Sequence, residues 1–212
     1  MQIEPLPKHR AAGEKSRLMK NDWSYAVPVS LDDFAARDWA LLDSQRGPYS
    51  AAQRAKQALE MLAAQANAPT FGYQINNYEH CLQTATLVLQ DGGGEEDIVV
   101  ALFHDLGFVT NNENHGQFAA SFLAPYVSDR NVWMLERHMY FQALHCATHP
   151  DVDPNIRERW RGHPDFEYTA NWVAKYDVPS INPAMENARL KTFAPMVERL
   201  FATPRNDIPI PK

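Results

Sequence analysis

Residues 77–107, NYEHCLQTATLVLQDGGGEEDIVVALFHDLG, decide how this chain folds. Asn77 is a natural N-cap for the segment through Gln90, and Gly92-Gly93-Gly94 end it. Glu95, Glu96 and Asp97 then place negative charge at the start of a second segment, where the helix dipole favours it. That segment is apolar through Phe103 and stops at Gly107. Two short helices joined by a glycine turn are the expected structure. The same grammar continues downstream. A polar loop, Thr110 to Asn114, leads into HGQFAASFLAPYV. Asp129 opens NVWMLERHMYFQALHCA, and Pro150 to Pro154 break the chain. Pro164-Asp165 start DFEYTANWVAKYD, and Pro183 starts AMENARLKTFAPMVERLF. Strand-like alternation is nearly absent, so the reading is an all-α bundle of about seven helices.

Upstream, residues 1–22 are polar and read as a loose arm. Residues 23–49 mix aromatics with charge, and Ser30 is placed to cap a helix beginning at Leu31. Ser50 caps AAQRAKQALEMLAAQANA, which Pro69 ends. The expected organisation is an N-terminal arm with packing helices over 1–69, a helical domain over 70–203, and an extended, Pro-rich tail over 204–212.

The chain has 212 residues, 45% of them hydrophobic and 22% charged, which are ordinary values for a globular protein. A net charge of −6 disfavours nucleic acid as a partner, because affinity there comes from Lys and Arg neutralising phosphates. Two cysteines, Cys81 and Cys146, cannot staple a domain of this size and are expected in the core. No apolar run approaches the roughly 20 residues of a membrane span, and the N-terminus has no apolar leader. The expected location is the cytoplasm, with no membrane partner.

Seven of the eight histidines fall between positions 80 and 163. His80 lies in the first turn of its helix, His104-Asp105 in the last turn of the next, His115 at the opening of the third and His138 midway along the fourth. Asp177 closes the following segment. Helix ends in a bundle can converge, so these groups can meet at one point. Asp105 follows an apolar run, and a buried carboxylate is costly unless it is paired or bound to metal. Imidazole and carboxylate together suit iron, manganese, zinc or magnesium. His149 and His163, next to prolines, read as surface residues. Phe103, Tyr140, Phe141 and Trp172 read as core, and Arg157, Arg159 and Arg161 as a solvated face with some capacity to capture an anion.

The order His80, His104-Asp105, His115, His138, Asp177 resembles that of the HD-domain superfamily of metal-dependent enzymes, whose fold is an all-α bundle. The likeness covers about residues 70–180. Within it, FGYQINNYEHCLQTA and HDLG resemble the branch of mixed-valent di-iron oxygenases, which includes myo-inositol oxygenase and the HD oxygenases that cleave hydroxylated phosphonates. The resemblance implies that His80, His104, Asp105 and Asp177 hold one iron, and that Asp105 bridges to a second held by His115 and His138. It implies a small hydroxylated substrate, dioxygen, and cleavage of a C–C or C–P bond. The alternative is a metal-dependent hydrolase, a phosphohydrolase or one acting on a nitrile or amide, in which two divalent ions activate water.

The likeness weakens around the substrate. Phe108 and Gln142 stand where the phosphonate-cleaving branch has basic residues, and Ala174 where it has an arginine. Thr70 and Tyr73 stand where it has a gating Tyr and Glu. Gln142 lies one helical turn beyond His138, on the same face, as does His145. Asp105, Gln142 and Tyr73 are the candidate catalytic residues, and Gln83 a candidate to support His80.

Overall fold

Helices account for the regular structure throughout residues 23–205, the part of the chain that the computed structural model describes. The arm expected over 1–22 and most of the tail, from 206 onward, lie outside those residues. Seven α-helices and no strand are found among the described residues: α1 (Ala36–Ala63), α2 (Asn77–Gln90), α3 (Glu95–Phe103), α4 (His115–Leu123), α5 (Asp129–Gln142), α6 (Phe166–Trp172) and α7 (Leu190–Ala202). The all-α bundle expected from the sequence is the fold. None of the described helices is long and apolar enough to cross a membrane.

Two compact units divide between Ser50 and Ala51. In the first, the Gln45 side chain brackets Ser24, accepting from its N–H at 3.3 Å and donating to its carbonyl at 3.0 Å. Ser30 does cap a turn, but only a single 3-10 turn over Leu31–Asp33. The helix proper starts at Ala36 and includes Pro48, so Ser50 caps nothing. Proline in a helix interior removes one donor and kinks the helix without always ending it.

The second unit holds the core. Its helix ends are set by side chains. Asn76, not Asn77, is the α2 cap: its side chain accepts from the Glu79 N–H at 3.0 Å, and Glu79 accepts from the Asn76 N–H at 3.2 Å. This reciprocal box satisfies two otherwise orphaned donors. It frees the Asn77 amide to donate to the Asp105 carbonyl at 2.8 Å, which ties the start of α2 to the end of α3. After α2 the chain reverses at Gly92, whose φ of 78° favours glycine. Glu96, in the first turn of α3, accepts from the Ser128 N–H and hydroxyl and from the Asn131 amide, locking α3 to the start of α5.

Ile98 to Phe103 of α3 are buried, with Leu82, Leu123, Leu135, Phe141 and Phe201 of the surrounding helices around them. Cys81 is in this core, but Cys146 is exposed. The cause is that α5 ends at Gln142 and Ala143–Cys146 form a 3-10 turn that carries Cys146 out of the packed face. Tyr140, expected in the core, is half-buried against Trp160 at 5.0 Å. His149 is exposed, whereas His163 is half-buried, its ring stacked on Trp133 at 4.2 Å. The last helix starts at Leu190, not near Pro183. The N–H groups of Ala184 and Ala188 are taken by the Asn182 and Thr86 side chains, so the intervening backbone is held open instead of coiling.

Candidate metal centre

Four helices and one irregular turn deliver six polar side chains to one buried point. His80 comes from the first turn of α2. His104 and Asp105 follow the last residue of α3. His115 is the first residue of α4, and His138 lies one turn before the end of α5. Asp177 ends a π-helical segment, Val173–Asp177, that continues α6. Such wide turns are uncommon and are often found at functional sites. All six are buried.

Each histidine is oriented by its own backbone contact. The Nδ1 atoms of His80, His104, His115 and His138 lie 2.7, 2.8, 2.7 and 2.8 Å from the carbonyls of Ser180, Ala101, Asn112 and Leu135. A carbonyl can only accept, so Nδ1 carries a proton in all four rings and Nε2 is the nitrogen turned to the centre, free to offer its lone pair to a metal when it is not itself protonated. Those Nε2 atoms meet in pairs. His80 faces His104 at 3.0 Å, and His115 faces His138 at 3.1 Å. Asp105 lies between the pairs. Its Oδ1 is 3.1 Å from His138 Nε2 and 3.3 Å from His115 Nε2, while its Oδ2 is 3.4 Å from His80 Nε2. Asp177 Oδ1 stands 3.4 Å from His80 Nε2 and 3.6 Å from His104 Nε2. It is a buried atom with no hydrogen-bond partner, whereas Oδ2 accepts from the Gln142 amide at 2.7 Å.

Two imidazole lone pairs about 3 Å apart repel unless a cation sits between them. The protonation pattern expresses the same demand for positive charge. Burial opposes charge on His80, yet the Asp177 and Asp105 carboxylates outweigh it and lift the pKa to about 9. Burial also opposes charge on His138, and Asp105 again overcomes it and raises the pKa. At His115 burial wins and the pKa falls. Burial resists charge on Asp105 and Asp177 too, but the surrounding imidazoles hold both below the usual carboxylate range. Nitrogen donors about 3 Å apart suit adjacent positions around one metal ion, where each metal–nitrogen bond is about 2.0–2.1 Å. His80, His104 and Asp177 form one group able to hold a metal, and His104, Asp105 and His138 another. The donors fit a metal centre.

Close helix packing is part of this geometry. A Cβ added at Gly116 would lie 2.5 Å from the Leu135 carbonyl oxygen. Glycine therefore lets α4 approach α5 closely enough for His115 to face His138. Gln83 supports the site at one remove. Its amide donates to the Asn182 carbonyl at 2.8 Å and accepts from the Asn182 N–H at 3.2 Å, bracing the turn that brings the Ser180 carbonyl to His80.

A cavity of about 260 Å³ opens onto His80, Asp105 and Asp177. Tyr73, Gln142, His145 and Thr70 line it, together with Phe71 and Phe108. Tyr73 packs edge-on against Phe71 at 5.4 Å, and Phe108 stacks with Phe71 at 6.0 Å and meets the His115 ring at 5.5 Å. Arg157, Arg159 and Arg161 do not line it. Arg161 is bound to Glu158 and Glu167, and Arg157 lies beside Glu158 and over the Phe141 and Phe166 rings. Anion capture by these arginines is therefore not what this site offers. Lys175 pairs with Asp91. Sequence pattern gives Asn77 only a capping role and does not single out Ser180, because nothing in a lone serine or asparagine signals a backbone contact across the bundle.

No family model matches the chain. A curated relative, the [1-hydroxy-2-(trimethylamino)ethyl]phosphonate dioxygenase (glycine-betaine-forming) of Leisingera caerulea, is 27% identical over 158 residues, covering 61% of this chain and 81% of the relative. The chain is thus distantly similar to an enzyme that is a dioxygenase.

Proposed function

We propose that the chain is an HD-domain metalloenzyme with a dinuclear centre, a di-iron oxygenase that cleaves a C–C or C–P bond of a small hydroxylated substrate. The observation carrying this reading is the pairing of imidazole Nε2 atoms, His80 with His104 and His115 with His138, around two buried carboxylates. His80, His104 and Asp177 would hold one ion, His115 and His138 the other, and Asp105 both. When bound, a pair of iron ions supplies activation of dioxygen and of the hydroxyl-bearing carbon. The similarity to a dioxygenase supports this chemistry over hydrolysis.

The chain's own residues do the rest. The four carbonyl contacts at Nδ1 fix each ring's tautomer and raise its basicity as a ligand. Gln142 holds one Asp177 oxygen and leaves the other for the centre. Phe108 and Phe71 give the approach an apolar wall, and Tyr73, half exposed beside them, is placed to cover a bound substrate. The same donors accept manganese, zinc or magnesium, with which the site would be a hydrolase. The test reconstitutes metal-free protein with iron or with zinc. Dioxygen uptake that depends on both iron and a hydroxylated substrate is expected. Phosphoester or amide hydrolysis by the zinc form, with no uptake by the iron form, would replace the proposal.

A further inference from the structure

The cavity in front of the proposed centre has a chemical character of its own. Among the described residues no Lys, Arg or Glu lines it, and the acids that do, Asp105 and Asp177, are engaged with the histidines. Its walls are Phe71, Tyr73, Ile75, Phe108, Val109 and Ile181. Several of these are unusually open to solvent for apolar side chains: Phe71 is 75% exposed, Val109 65% and Ile181 49%. Apolar side chains gathered at a cavity mouth mark a binding surface more often than chance. Thr70, Tyr73 and His145 add polar groups to the lining, but the lining amides of Gln142 and Asn76 are already occupied. The Gln142 amide is spent on Asp177, and the Asn76 amide donates to the carbonyls of Ala66 and Ala68. Arg157, Arg159 and Arg161 are engaged with glutamates or aromatic rings and do not line the cavity.

From this we infer that the substrate presents an uncharged, apolar body to the wall formed by Phe71 and Phe108, with its hydroxyl-bearing head at the histidine–carboxylate centre. A charged body would lose hydration there and, among the described residues, meet no Lys, Arg or free carboxylate in return, only polar groups such as those of Thr70, Tyr73 and His145. An apolar body is desolvated with profit, and the flanking rings accept it face-on or edge-on. About 260 Å³ accommodates a group the size of a phenyl ring beside the head. The inference rests on the metal reading for the placement of the head, but the character of the wall is independent of which metal is bound.

The test uses the full-length protein and three α-hydroxy acids that share one head. Phenyllactate carries an apolar body, malate an anionic one and isoserine a cationic one. Binding is measured by calorimetry under nitrogen, on both the metal-loaded and the metal-free protein, with metal content determined on the same samples. Phenyllactate should bind about tenfold to a hundredfold more tightly than either of the others, the worth of burying one phenyl-sized group. Phe108→Lys should reverse the order of phenyllactate and malate. Phe71→Ala, at an exposed position where folding is not at stake, should weaken phenyllactate severalfold and leave malate unchanged. Malate or isoserine binding as tightly as phenyllactate would overturn the inference, as would indifference of phenyllactate to both substitutions. Protein that takes up no metal yet keeps the phenyllactate preference would refute the metal reading and leave this one standing.

Discussion

Gly116→Ala pits two effects of known sign against each other. Alanine gains about 1 kcal/mol over glycine inside a helix. At this position, however, the new Cβ would lie 2.5 Å from the Leu135 carbonyl and 3.4 Å from that of Glu136. Neither is the end of a flexible side chain, so α4 and α5 must separate by nearly an ångström. Overpacking of this kind costs about 1–3 kcal/mol, and its upper half is expected where the obstacle is backbone. The net loss is about 1–2 kcal/mol. For a chain of this size that lowers Tm by about 2–8 °C. The consequence for the centre is sharper. His115 Nε2 and His138 Nε2 sit 3.1 Å apart across this interface, and metal–ligand distances tolerate only about 0.2 Å. Differential scanning calorimetry should show the lowered Tm, and elemental analysis should show selective loss of the ion held by His115 and His138. A Tm equal to or above that of the unaltered protein, with full metal content, would refute the claim that close helix approach builds this half of the site.

Other substitutions separate the roles of the remaining groups. Asp105→Ala should abolish binding of both ions, and His138→Ala mainly that of the ion shared with His115; elemental analysis reads both, and an Asp105→Ala protein that keeps its full metal content would remove the bridging role. Gln142→Leu should leave Asp177 Oδ2 without its 2.7 Å bond and weaken metal affinity about tenfold to a hundredfold, as loss of a ligand's supporting partner generally does; a competition titration with a chelator checks this. Glu96 is half-buried. Burial resists its charge, but the Ser128 and Asn131 donors prevail and lower its pKa. Its contribution to stability is therefore fully present above the ordinary carboxylate range and is lost as pH falls through the depressed folded value. Acid unfolding of Glu96→Gln should accordingly be less steep over that interval, and an unaltered acid limb would contradict the assignment.

The sequence makes the helical order legible because caps, glycine stops and dipole-matched acids are local signals. It also places His80, His104, Asp105, His115 and His138 at or near helix ends, and the structure gathers all of them with Asp177. Gln142 falls on the His138 face as helical spacing requires, but its bond to Asp177 spans 35 residues and depends on the wide turn after α6. The Ser180 carbonyl reaches His80 across 100 residues, a contact that leaves no mark on side-chain pattern. Ser50 and Pro183 are sound local signals that α1 and the open 183–189 segment override. Cys146 shows the limit of residue type as a guide, since one 3-10 turn suffices to carry a small apolar side chain to the surface.

On the proposed function, the paired histidines and Asp105 would hold two irons in one coupled centre. Protein expressed with iron and purified without chelators, then partially reduced, should contain a pair of irons per chain and give the low-temperature EPR signal of a mixed-valent couple. A single ion per chain, or zinc or manganese in place of iron with no such signal, would contradict it.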